Sequence, residues 1–89
     1  MQEYLQFYIN GEWVDSESKK TFETLNPENN EPWAKVPEAS AKDVDKAVRA
    51  AQKAFDGEWP KLFPKERAKY LKAIANQLRK NAERLGKIE

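Results

Sequence analysis

The chain has 89 residues, with no cysteine and no histidine. Without cysteine there is no thiol nucleophile and no disulfide, and without either residue type there is no Cys/His zinc site. Histidine is also missing as a general base. Glycine is scarce, with 3 residues at positions 11, 57 and 86. That spacing excludes the G-x-G-x-x-G turn that cradles a dinucleotide. No apolar run approaches the ~18 residues of a membrane-spanning helix. The opening Met1-Gln2-Glu3-Tyr4 has neither a basic region nor an apolar one, so it does not read as a secretory signal. A chain free of cysteine suits a reducing compartment. The expectation is a cytoplasmic protein with no membrane partner.

What is present is a surface-rich composition, 39% hydrophobic and 35% charged. The length argues for one domain at most. A chain of this size buries only a little over ~60% of the surface that its unfolded form exposes. The net charge is +1, unevenly spread: residues 1–60 hold 7 Lys/Arg against 12 Asp/Glu, and residues 61–89 hold 9 against 3. Such asymmetry suits a nucleic-acid face. It suits equally well two surfaces that complement other parts of a larger protein.

Local chemistry gives strands first, across about 6–36. Asn10-Gly11 joins Gln6–Ile9 to Glu12–Val14, and both residues accept the positive φ of a two-residue type I′ turn. Ser16 to Lys20 is a polar loop. Thr21–Leu25 alternates and is rich in β-formers. Asn26-Pro27-Glu28-Asn29-Asn30 is turn chemistry. Trp33–Val36 reads as a fourth short strand, with Pro32 and Pro37 flanking it and limiting its length.

Helices follow. Ser40 is a good N-cap and Asp43 suits the positive end of the helix dipole, so a helix is expected over about 41–56. Val44, Ala47, Val48, Ala51 and Phe55 form its apolar stripe, and Gly57 is a natural stop. Pro64 suits the first position of a second helix over about 64–88. Its stripe is Ala68, Leu71, Ile74, Ala75, Leu78, Ala82 and Leu85. The phase continues through Gly86 to Ile88, so the chain is expected to belong to a longer protein. The fold class is α+β: a β-hairpin and further short strands, then two helices.

Two constellations carry possible chemistry. Asp43, Asp45, Asp56 and Glu58 suggest a metal site, but Asp43 and Asp45 do not share a helix face, and a solvated face is the plainer reading. The basic second helix, with Lys65, Arg67, Lys69, Lys72, Arg79, Lys80, Arg84 and Lys87, suggests phosphate binding. Its cations are spread around the polar arc, and only Tyr70 offers an aromatic face, so a solvated outer face is again favoured.

In order along the chain, five segments resemble the opening of the NAD(P)-dependent aldehyde dehydrogenase superfamily. Phe7–Val14 is similar to its F-I-N-G-E/K-W hairpin, and Thr21–Pro27 to its T-F-x-V-x-N-P strand and turn. Trp33–Ser40 is similar to the strand that leads into a helix cap. Asp43–Phe55 resembles the D-V-D-x-A-V-x-A-A-x-x-A-F helix. Trp59 with Pro64-Lys65-Glu66-Arg67-Ala68 and Leu71 resembles the W-x-x-x-x-P-x-E-R-A-x-x-L helix start, and Leu85 with Ile88-Glu89 continues the likeness. Two departures stand out. Asn29-Asn30 replaces the glycine often found after Asn-Pro, and Phe63 replaces the Ser or Thr before the proline, which weakens that cap.

The resemblance implies that residues 1–89 are an N-terminal part of a Rossmann-like α/β cofactor-binding domain. It implies a parent enzyme that oxidises an aldehyde to a carboxylic acid with NAD or NADP, and that forms a homo-oligomer. The segment's partner would be the rest of that chain, with a small aldehyde as the parent's substrate. No catalytic or cofactor-binding residue falls within this segment. One site is carried over: the backbone carbonyls of Thr24 and Leu25 as ligands of a monovalent cation. Two other classes are weighed beside it, a free-standing helical-hairpin interaction module and a small nucleic-acid-binding domain. The isolated segment is expected not to be an enzyme.

Overall fold

The computed structural model describes residues 1–89. They form two compact units, Met1–Lys53 and Ala54–Glu89.

The first unit holds two small sheets and most of the first helix. Strands β2 (Gln6–Ile9) and β3 (Glu12–Asp15) form an antiparallel hairpin, with Phe7 opposite Val14 and Tyr8 opposite Trp13. Asn10 and Gly11 turn the chain at φ 55° and 76°, the two positive values that a type I′ turn needs. Pairing puts Phe7, Ile9 and Val14 on one half-buried face. Tyr8 and Trp13 lie exposed on the other, their ring centroids 5.0 Å apart at 61°.

The second sheet has the order β1–β5–β4. β4 (Thr21–Asn26) pairs antiparallel with β5 (Glu31–Pro37), and β1 (Gln2–Glu3) pairs parallel with Ala34 and Lys35. Tyr4 extends that edge by donating its N–H to the Lys35 carbonyl at 2.9 Å. The local pattern of the first three residues gave no sign of β1. The β4–β5 turn is held by asparagines: Asn26 Oδ1 accepts the Glu28 N–H at 2.9 Å, and Asn29 Oδ1 accepts that of Glu31 at 3.0 Å. Asn30 sits at φ 60°, so asparagine carries the left-handed position that glycine often takes.

Pro32 and Pro37 do not bound β5; both lie within it. The ladder passes from Thr24 opposite Ala34 to Leu25 opposite Pro32, a register shift that sets one extra residue, Trp33, on β5. A bulge tolerates the missing N–H that an unbroken ladder would not. Central in this sheet is Ala34, the only buried hydrophobic residue of the chain.

Helix α1 (Ala41–Asp56) begins as expected at Ser40. Ser40 Oγ accepts the Asp43 N–H at 3.2 Å, and Asp43 Oδ2 accepts the Ser40 N–H at 2.9 Å. This is the reciprocal capping box with aspartate as the acid. Along α1, Asp43, Ala47 and Ala50 are the covered positions, while Val44, Val48 and Phe55 stand exposed, Phe55 by 72%.

The second unit is helical. A 3-10 turn (Trp59–Lys61) brings the Trp59 ring 5.8 Å from that of Tyr70. Helix α2 (Pro64–Lys80) starts with Pro64 in its first turn. The Phe63 side chain offers no oxygen, so the side-chain cap is one-sided: Glu66 Oε1 accepts the Phe63 N–H at 3.3 Å. Arg67 reinforces this end by donating to the Leu62 carbonyl.

The expected single helix over 64–88 is two. Asn81 leaves helical geometry at φ −111°, ψ 15°, and α3 (Ala82–Ile88) follows. The Asn81 amide donates to the Gln77 carbonyl at 2.9 Å, so the side chain competes with the helical ladder at the break. Apolar periodicity hides such a break, because Leu78, Ala82 and Leu85 keep phase across it.

The chain exposes 7882 Å². Leu71, Ile74 and Leu78 of α2 are more than half exposed, as are Val44, Val48 and Phe55 of α1.

Candidate functional site

The most completely built polar constellation is the Asp43 carboxylate. It accepts the Ser40 N–H, and both of its oxygens accept the Glu17 N–H at 3.2 Å. Asp43 is 9% exposed, so its reading as part of a solvated helix face is corrected. The Ser40 backbone N–H holds its pKa below the usual carboxylate range; burial opposes this, and Glu17, the Ser40 hydroxyl and Lys46 reinforce it. Beside it, Ser16 is buried and its Oγ accepts the Lys19 N–H at 3.0 Å, with Lys19 at φ 58°. The Ser16–Lys20 loop is thereby tied to the start of α1. Sequence reading placed Asp43 at the dipole and missed Glu17, because a backbone N–H 26 residues away leaves no local pattern.

The other acids do not join Asp43. Asp45 pairs with Arg49 at 2.7 Å one turn along α1, and Glu58 with Lys61 at 3.9 Å. No group of three His, Cys, Asp or Glu side chains is placed to hold a metal ion. Thr24 and Leu25 lie together at the register shift of β4, Thr24 half-buried and Leu25 exposed. Pro32 opposite Leu25 has no N–H to give the ladder at this shift.

The basic residues of α2 and α3 form no single patch. Arg67 is engaged with the Leu62 carbonyl and Arg79 with Asn76 Oδ1 at 3.0 Å, while Lys87 pairs with Glu83 at 3.8 Å. Lys80, Arg84 and Lys87 share a shallow groove with Glu83 and Asn81. No helix of the chain is long and apolar enough to cross a membrane.

The sites found are structural, and likeness to known proteins supplies the rest. The family described as the aldehyde dehydrogenase family matches residues 13–89. An aldehyde dehydrogenase of Aspergillus niger is 46% identical over 85 residues, which is 96% of this chain and 17% of that protein. Aldehyde dehydrogenase family 2 member B4, mitochondrial, of Arabidopsis thaliana is 45% identical over 87 residues, 97% of this chain and 16% of its own length. Among solved structures, the Mycobacterium tuberculosis aldehyde dehydrogenase complexed with NAD+ superposes with a TM-score of 0.86 at 37% identity, covering 97% of this chain and 18% of that one. The chain thus spans about a sixth of the length of the relatives it matches. Neither a helical-hairpin module nor a nucleic-acid-binding domain finds support in these likenesses. With its α+β order of strands then helices, its two left-handed turn residues in the opening hairpin and its match over nearly the whole length, the chain belongs to the aldehyde dehydrogenase family, as an N-terminal segment of that fold.

Proposed function

We propose that these 89 residues serve as scaffold in the cofactor-binding domain of an enzyme that oxidises an aldehyde to a carboxylic acid. The observation that carries the reading is the family match together with the likeness to an NAD+ complex at 37% identity. NAD is the cofactor this likeness supports for the parent, with NADP as the alternative. When bound, the nicotinamide accepts a hydride from the substrate carbon. A thiol nucleophile and a glycine-rich dinucleotide turn are supplied from outside these residues, which contain neither.

The scaffold role follows from the faces left uncovered. α1 turns Asp43, Ala47 and Ala50 inward and presents Val44, Val48 and Phe55, while α2 presents Leu71, Ile74 and Leu78. These are apolar surfaces for the rest of the parent chain to cover. The parent is a cytoplasmic homo-oligomer in this reading. In this reading the backbone carbonyls of Thr24 and Leu25, beside the register shift, hold a monovalent cation, with further oxygen ligands from other segments of the parent.

The test compares two proteins with NAD+ or NADP+ and a panel of aldehydes. The longer protein carrying this chain is expected to form reduced nicotinamide, and the isolated 89 residues to form none above background. Turnover by the isolated chain that survives further purification overturns the scaffold reading. Failure of the longer protein on every aldehyde overturns the activity.

A further inference from the structure

The turn residue Asn10 differs from every other asparagine of the chain in what surrounds it. Loss of ammonia from an asparagine needs the next residue's backbone nitrogen to reach the side-chain carbonyl carbon. It also needs that amide to be free. At Asn26 the next residue is Pro27, which has no N–H. After Asn29, the Asn30 N–H is bonded to the Asn26 carbonyl at 2.6 Å. After Asn30, the Glu31 N–H is bonded to Asn29 Oδ1 at 3.0 Å. Asn76 lies inside α2 and accepts from Arg79, and Asn81 is tied by its own amide to the Gln77 carbonyl. Asn10, at φ 55° in its turn, has none of these bonds. It is exposed, its side-chain amide makes no hydrogen bond, and the Gly11 N–H donates to no acceptor. Gly11 brings no side chain into the path, and nothing lies within 4 Å of where a Cβ would stand.

The electrostatics point the same way. Asn10 lines one groove with Glu12, Lys46, Arg49 and Lys53; Arg49 is paired with Asp45 at 2.7 Å, which leaves Lys46 and Lys53 as the cations. Negative charge develops on the attacking nitrogen and on the carbonyl oxygen as the bond forms. Nearby cations stabilise that charge.

We propose that Asn10 is a covalent modification site, converted to aspartate and isoaspartate through a cyclic imide formed with the Gly11 nitrogen. The Gly11 amide gives its proton to water or hydroxide, and its nitrogen bonds to Asn10 Cγ. The Cγ–Nδ2 bond breaks, and ammonia leaves after taking up a proton. Water then opens the imide. Cleavage at the Cγ–N bond restores the normal backbone with aspartate at position 10. Cleavage at the other carbonyl routes the chain through the side chain as isoaspartate. Nothing is oxidised or reduced, and the net change is water in and ammonia out. Aspartate keeps the turn, since it tolerates positive φ. Isoaspartate adds a backbone carbon to a two-residue turn that has no slack, and so disturbs the Tyr8–Trp13 pairing.

The longer protein carrying this chain is incubated at mildly alkaline pH, digested and mapped by mass spectrometry. The peptide containing Tyr8 to Val14 is expected to gain a single mass unit before any other asparagine peptide, and to split into two chromatographic forms. The isoaspartate form shifts Trp13 emission, while Asn10→Asp leaves it unchanged. Replacing Lys46 and Lys53 by Gln slows the conversion severalfold. The proposal is overturned if Asn26, Asn29, Asn30, Asn76 or Asn81 converts first. It is overturned equally if Asn10 stays intact under conditions that convert a free Phe7–Val14 peptide. An unchanged rate in the Lys46→Gln, Lys53→Gln protein removes the role given to the cations.

Discussion

Asp43 accepts the Glu17 N–H on both carboxylate oxygens at 3.2 Å, joining the first turn of α1 to the loop between β3 and β4. The same carboxylate closes the capping box with Ser40. One side chain therefore satisfies two backbone donors in different parts of the first unit. Its charged form is the one that both donors favour, which makes the link sensitive to protonation.

Asp43→Asn is expected to lower stability, because an amide cannot accept on both sides as a carboxylate does. The pH dependence has a definite sign. The folded pKa of Asp43 lies below the unfolded value of about 3.9. Its contribution is then fully present above that value and disappears as pH falls through the lower folded one. Denaturant melts of both proteins from neutral to strongly acidic pH should converge at the acid end. A constant gap across the whole range rules out the carboxylate link.

Gly11→Val is expected to cost more than the roughly 1–2 kcal/mol that a Cβ incurs in the left-handed region, since β-branching worsens the clash. Gly11 has φ 76°, and Asn10→Gly should change stability little. With Trp33 and Trp59 replaced by Phe, Trp13 emission reports on the hairpin, and it should shift in Gly11→Val. Stability unchanged by Gly11→Val counts against the turn's role in register. In the longer protein, cofactor affinity should stay close to that of the parent.

The uncovered face of α2 gives a test that depends on context. Leu71 is 60% exposed in this chain, so Leu71→Ala in the isolated segment should stay within about 0.5 kcal/mol. In the longer protein, if the face is covered as proposed, the same change should cost about 2–4 kcal/mol, as large-to-small core substitutions do. Equal effects in the two settings mean that nothing packs on α2.

Exposed stripes also set the behaviour of the segment alone. It is expected to dimerise, exchange elements or lose fixed packing, because Val44, Val48, Phe55, Leu71, Ile74 and Leu78 have no cover. Sedimentation of an ordered monomer at high concentration, with a sharp cooperative melt, contradicts this.

The sequence by itself determined the features that nearest neighbours encode. Asn10-Gly11 dictates a tight turn because only such residues accept two successive positive φ values. Ser40 with Asp43 marks the start of α1 because both side chains reach N–H groups within three residues. The order of short strands and helices was legible in the same way, while the family was legible only through the resemblance of its motif segments. Tertiary structure decided the rest. β1 exists because Gln2 and Glu3 find the free edge of β5, although two polar residues carry no strand signal of their own. Pro32 enters β5 through a bulge set by the pairing with β4, whereas proline read alone ends a strand. Asp43 is buried because the Glu17 N–H arrives from another loop. Asn81 breaks the second helix while the apolar phase continues across it. Side-chain periodicity tells which face of an element is apolar. Whether that face is covered depends on long-range packing, and along α1 and α2 Val44, Val48, Phe55, Leu71, Ile74 and Leu78 remain more than half exposed.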